Sequence, residues 1–296
     1  MLMPSYNITL YAQWVPATMT ISYNGNGSTG GSVPTSHSAA YGSNITVKGN
    51  TGNLLKPNYQ LIRWNTNASG TGATCAFNET FPLTGNMTLY AQWARSRTTN
   101  MKLWVDKTYA DAYTTWSTQA SEIAARAAMP FNGTYAITIN ISAPTLIDSG
   151  KSSCPNAPNA CTVQTCGPSC ASHHTNSFAL LNYVSNNKDN NYAFNTMLYY
   201  GTTSCSSSDH SGAGGRAYCP GRESIVQCYD YTNWLTIRRV QHEWSHNLGA
   251  QHSGEGGTYC TSDCINNGGM DKFSQHVPNI WCRRCENAMA SEIAKL

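Results

Sequence analysis

The sequence predicts an α+β protein in two parts. A small β-rich repeat comes first. A larger domain follows, an α/β or α+β sheet domain with a long helix and an irregular C-terminal part closing on a final helix. Three observations predict this. A seven-residue segment occurs twice, as ITLYAQW at 8–14 and MTLYAQW at 87–93, with six positions matching at an offset of 79 residues. Between the copies, apolar and polar residues alternate with the period of half-buried strands. After residue 94 strand-like and helix-like stretches interleave and helices dominate late, as in a sheet with helices packed on it.

The duplicated segment marks an internal repeat. Residues 1–14 read as the tail of one unit and 15–93 as one whole unit. Strands are expected in MTISYNGNG, SNITVKGN, YQLIRWN and MTLYAQW, with Gly, Asn and Pro between them. Residues 94–100, ARSRTTN, read as a polar linker, and 101–296 as the second domain. There, 101–105 reads as a strand. Residues 113–128 are Ala-rich and read as a helix, stopped by Pro130 and Gly133. Strands are expected at 135–142 and 192–200, with a Cys-, Pro- and Ser-dense loop at 151–174 and a helix at 177–184 between them. Residues 213–219 and 224–231 read as two more strands, 231–248 as a long helix, and 278–295 as the last one.

Charged residues make up 11% of the chain, and the net charge is +3. That is too little basic surface for a nucleic-acid partner or an acidic membrane. No apolar run reaches the ~20 residues that span a bilayer. The first 14 residues lack the basic and apolar regions of a secretory signal peptide. Twelve cysteines nevertheless point to an oxidising compartment and a disulfide framework. The two readings agree if the chain is part of a longer secreted protein, so an extracellular or cell-surface location is expected.

The chemistry is concentrated in His242-Glu-Trp-Ser-His-Asn-Leu-Gly-Ala-Gln-His252, an HExxHxxGxxH pattern. Two His at i and i+4 lie roughly 40° apart around a helix, so both imidazoles reach one ion. Glu243, roughly 100° from His242, suits a residue that reaches water at the ion rather than the ion itself. Trp234, Ile237, Val240, Trp244 and Leu248 lie nearly opposite the His pair. The helix is therefore expected to bury that side and turn its His side to a cleft. Gly249 can take φ > 0 and end the helix, after which His252 can return as a third ligand. Three neutral imidazoles leave one position open, as a catalytic zinc site requires. Two His on an exposed helix face would explain His242 and His246 alone, but not Gly249 and His252 in their places.

The repeat resembles the internalin-type B repeat of bacterial surface proteins, a β-grasp-like module. The resemblance rests on YNGNG, a Gly-Asn-containing middle, RWN and the closing LYAQW. It implies a stalk or adhesion module and attachment at a cell surface through the repeats. Residues 102–296 resemble the metzincin metallopeptidases, through the extended motif and through Met270 in Asn267-Gly-Gly-Met-Asp271, which matches the methionine turn. The resemblance implies one catalytic Zn2+ on His242, His246 and His252, with Glu243 activating a zinc-bound water. Met270 would pack beneath the metal without ligating it. The strand at 213–219 would be an edge strand on which Gly215, Arg216 and Ala217 pair with an extended peptide. Phe273 would line the pocket beside the metal. Two positions qualify the match. Lys272 stands where some relatives carry a Tyr, so no such ligand is carried over. Ser253, after the third His, is similar to the matrixin type, but the subfamily stays open.

The implied activity is endopeptidase cleavage of protein or peptide substrates. Two alternatives compete with it: an adhesin or binding module on a peptidase fold, and a zinc hydrolase acting on a non-peptide amide. Eleven cysteines follow residue 100, so at least one has no partner within that domain. Cys260-x3-Cys264-x17-Cys282-x2-Cys285 also has the spacing of a structural zinc site, so a second ion competes there with disulfides. His37, His173, His174, His210 and His276 read as structural.

Overall fold

The computed structural model describes residues 9, 11–148, 177–200, 215–228, 234–251, 281 and 283–296. The chain divides into two compact units, Met1–Arg95 and Ser96–Leu296.

The described part of the first unit is built of strands. They are β1 (Thr18–Asn24), β2 (His37–Ala40), β3 (Asn44–Thr46), β4 (Tyr59–Asn65), β5 (Thr74–Cys75), β6 (Thr80–Pro82) and β7 (Met87–Arg95). The main sheet has the order β2-β1-β7-β4-β5, and β3 pairs with β6 as a separate ribbon. β7 lies parallel to β1 and antiparallel to β4. Its Leu89 and Ala91 are fully buried beside Ile21, Trp64 and Leu83. The YNGNG and LYAQW segments bind each other. Asn26 Nδ2 donates to the Ala91 carbonyl at 2.8 Å, and Trp93 Nε1 donates to the carbonyls of Gly25 and Asn26, both at 3.1 Å. The turn needs left-handed backbone, with φ of 43° at Asn26 and 85° at Gly27. Asn and Gly adopt that region most easily, which accounts for YNGNG as written. β2, β5 and β6 were not expected from the sequence, because strands of two to four residues are too short to display a period.

The second unit is α+β. Its strands are β8 (Arg97–Asp106), β9 (Ile137–Ile141), β10 (Thr145–Ile147), β11 (Phe194–Tyr199), β12 (Gly215–Ala217) and β13 (Glu223–Gln227). They form one sheet of order β10-β8-β11-β13-β12, with β9 also pairing β8. The pairings are parallel except that of β12 with β13, which makes the sheet mixed. The helices are α1 (Lys107–Ala112), α2 (Trp116–Tyr135), α3 (Ser177–Asn187), α4 (Trp234–Asn247) and α5 (Arg283–Lys295). Met101, Leu103, Val105, Leu198 and Val226 form one core with Phe131 of α2, Val240 and Trp244 of α4, and Met289 of α5. Met197, Tyr199 and Ile225 form another with Leu180, Leu181 and Val184 of α3. A parallel sheet covered on both faces has no solvent side, and β13 is accordingly buried at every position.

Several boundaries differ from those expected. Residues 94–100 fall in the end of β7 and the start of β8. The alternation carries on there, with Thr99 and Met101 buried on the ladder that β8 makes with β9. Helix α2 does not stop at Pro130 but runs on to Tyr135. A proline inside a helix costs roughly 3 kcal/mol. The buried stripe of Ala120, Ile123, Ala124, Ala127, Phe131 and Thr134 continues across it and holds the helix together. The short α1 was not expected either. Asp106 caps it, its carboxylate accepting from Thr108 N at 2.9 Å. Among the described residues no helix is long and apolar enough to cross a membrane. The loop expected at 151–174 lies outside the described residues.

Candidate active site

Helix α4 carries His242, Glu243 and His246. Ile237, Val240, Trp244 and Leu248 join the core as their spacing predicts. His242 and His246 are each 6% exposed and Glu243 is 4% exposed. The sheet edge provides part of this enclosure, because the backbone of β12 lies against Glu243. A Cβ added to Gly215 would sit 2.6 Å from Glu243 Oε1.

The two imidazoles converge. His242 Nε2 and His246 Nε2 are 3.0 Å apart, with the rings nearly perpendicular at 86°. The other nitrogen of His246, Nδ1, is bonded to the carbonyl of Ala250. A carbonyl only accepts, so Nδ1 carries the proton and Nε2 presents a lone pair. This is the outer hydrogen bond that orients metal-ligating histidines. Gly249 makes it possible. Its φ of 96° reverses the chain, its N–H donates to His246 O at 2.8 Å, and Ala250 N donates to Ser245 O at 2.9 Å. Cys219 Sγ also donates to the Ala250 carbonyl, at 3.2 Å.

Buried polar bonds hold the helix on the sheet. Trp244 Nε1 donates to Thr196 Oγ1 at 2.9 Å, and Thr196 Oγ1 shares a hydrogen with Ser224 Oγ across the ladder of β11 and β13 at 2.9 Å. Trp281 Nε1 donates to Ser245 Oγ, which donates in turn to Gln241 O, both at 2.6 Å. Asn247 Nδ2 donates to the carbonyls of Tyr218 and Glu223 at 3.1 and 3.0 Å, tying the helix end to the β12–β13 hairpin.

Burial pushes the Glu243 carboxyl up to about 8, while the guanidinium groups of Arg216 and Arg239 pull it down. Arg239 donates from Nη1 to the carbonyl and side-chain oxygens of Gln227 at 3.3 Å.

The structure thus gathers His242, His246, Glu243, Gly215 and Arg216, and places Gly215, Arg216 and Ala217 on the outermost strand of the sheet among the described residues. His252, Met270 and Phe273 lie outside the described residues. So do the cysteines at 154, 161, 166, 170, 205, 260, 264 and 282. Among the described residues no disulfide is formed, and the thiols of Cys75 and Cys228 are free and buried. Two contributors were not read from the sequence. The Ala250 carbonyl is backbone and leaves no trace in a residue pattern. Arg239 is legible in principle, since it stands four residues before Glu243 on the same helical face.

Zinc is the metal that such a site implies, and the donors fit it. Two imidazole nitrogens converge, one has its tautomer set by an outer hydrogen bond, and a carboxyl stands beside them. Among the described residues no group of three His, Cys, Asp or Glu side chains gathers around one point.

A mixed sheet domain with this helix is that of a metallopeptidase. The chain belongs to the metallo-peptidase family M12, whose model matches residues 95–271. Residues 20–92 match the model of the Listeria-Bacteroides repeat domain. Among solved structures, archaemetzincin from Methanopyrus kandleri is similar at 16% identity and a TM-score of 0.41, over 67% of this chain and 97% of that one. Archaemetzincin from Archaeoglobus fulgidus, complexed with malonate, is similar at 15% identity and a TM-score of 0.36, over 65% and 99%. A protein of Evansella cellulosilytica, named as a membrane protein, is 38% identical over 91 residues, which are 30% of this chain and 14% of that protein. A second, named as a Gly-rich membrane protein, is 35% identical over 86 residues, 29% and 10% of the two lengths. The chain therefore spans only a small part of these curated relatives.

Proposed function

We propose that this chain is a zinc-dependent endopeptidase of the metzincin type, displayed outside the cell or at its surface, with the repeat as a stalk. The observation that carries the reading is the convergence of His242 Nε2 and His246 Nε2 at 3.0 Å beside an enclosed Glu243. His242, His246 and His252 would hold the metal, and Met270 would pack beneath it. Zinc held there would supply a Lewis acid that lowers the pKa of water to about 7.

The rest falls to the chain's own residues. Glu243 takes the proton of the attacking water on its carboxylate and returns it to the leaving amine. The Ala250 carbonyl holds His246 in the tautomer that presents Nε2. β12 offers the backbone N–H and C=O groups at Gly215–Ala217 to an extended peptide, which adds a strand to the sheet edge. Phe273 would line the side-chain pocket beyond it.

Zinc content and cleavage of casein, measured for the wild type and for Glu243→Ala, test this reading. The variant is expected to keep its zinc and lose about 10²–10⁴-fold in turnover. His→Ala at 242, 246 or 252 is expected to lose the metal as well. Undiminished cleavage by Glu243→Ala would remove the carboxylate from the mechanism. Zinc bound without cleavage of any peptide by the wild type would favour a binding protein on a peptidase fold.

A further inference from the structure

Gly215 is in an ordinary strand. Among the described residues, the glycines with positive φ are Gly27, Gly31, Gly42, Gly70 and Gly249, so the backbone at 215 does not itself call for glycine. The surroundings do. A Cβ at this position would stand 2.6 Å from Glu243 Oε1, 2.7 Å from its Cγ and 2.9 Å from its Cδ. Carbon atoms settle at about 3.5–4.0 Å, so any side chain here overlaps Glu243 by about an ångström.

Three responses can be weighed. β12 could withdraw, but it is paired with β13 from Gly215↔Val226 to Ala217↔Ser224, and Tyr218 beyond it is bonded to Glu223 and Asn247. The helix could withdraw, but the Trp244–Thr196 bond and the Asn247 bonds fasten α4 to the sheet. The Glu243 side chain is the most flexible of the three, and it would be the one to move, although it is only 4% exposed.

We propose that Gly215 is a positioning residue for Glu243. The side chain missing from this point of β12 leaves the space in which the carboxylate is held against the substrate edge. The inference rests on the peptidase reading above. It adds that the same strand that receives the peptide also sets where the proton-transfer group stands. A one-ångström displacement of a group in that role costs on the order of 10²-fold in turnover.

The test is a cycle of wild type, Gly215→Ala, Glu243→Asp and the double variant. Asp is one methylene shorter and makes room for a Cβ at 215. Each chain is assayed for kcat, KM and bound zinc. Gly215→Ala is expected to lower kcat about 10²-fold with KM and zinc content close to wild type. In the Glu243→Asp background the same substitution is expected to cost only a few-fold (about threefold). Unchanged kcat in Gly215→Ala overturns the proposal. So does a raised KM at constant kcat, which would mean a clash with substrate. Equal losses in both backgrounds overturn it too. If Gly215→Ala does not fold, a folded double variant supports competition for one space, and an unfolded one overturns it. Absence of cleavage by the wild type would sink the peptidase reading instead, and thermal midpoints of the four chains would then decide the steric pairing on the same pattern.

Discussion

Cys75 and Cys228 sit in separate cores, 5% and 0% exposed. Burial is the main cause that pushes both thiols up, Cys75 from 9.0 to about 11 with Glu79 adding to it, and Cys228 further still. The sign of the consequence follows. The folded state holds the thiol proton more tightly than the unfolded one, so the associated stability is complete below pH 9. It is lost as the pH rises through about 11. For Cys75 the difference of two pKa units corresponds to about 2–3 kcal/mol. Thermal unfolding of the first unit is expected to move to lower temperature across that window, and Cys75→Ala is expected to flatten the slope. Iodoacetamide at pH 8 should leave both thiols unmodified until the chain is unfolded, since the thiolate is the reactive form.

Helix α4 depends on how it ends. Gly249→Ala puts a side chain at φ 96°, with the new Cβ 3.3 Å from the Ala288 carbonyl. The left-handed conformation costs about 1–2 kcal/mol for a residue with a side chain. Relief of that strain would draw the Ala250 carbonyl off His246. Urea unfolding should show the loss in stability, and chelator competition should show zinc held about 10–100-fold more weakly. Ser245→Ala leaves the buried indole N–H of Trp281 without its acceptor, and calorimetry should register about 1–3 kcal/mol. How readable each element was depended on its length and its burial. α4 and β7 show their periods over whole turns or several pleats. α1, β2, β5, β6 and β10 are six residues or fewer and show none. The local penalty at Pro130 predicts a stop, but it is outweighed by a packing stripe that exists only once α2 meets α4 and β9.

The chain carries one core in the first unit, around Trp64 and Leu89, and others in the second, around Phe131, Trp244 and Leu181. No residue of the first-unit core recurs in those of the second. Each unit is therefore expected to fold without the other. Residues 1–95 and 96–296, expressed separately, should each give a cooperative calorimetric transition, and the second should retain the zinc binding and casein cleavage proposed for the full chain. Loss of a cooperative transition in either part would show that its core is incomplete alone.

Spacing along the chain was enough to name His242, Glu243 and His246 as one group, because helix geometry is local and a four-residue step is the same in every helix. The repeat was equally plain, since LYAQW and YNGNG are written out as residues. Other features arose only when distant segments met. They are the burial of the His side, the Arg216 guanidinium near Glu243, and the space at Gly215 for its carboxylate. Each joins atoms that no local period relates. Their geometry is set by the packing of α4 against the β12–β13 hairpin, which depends on the shapes of both at once.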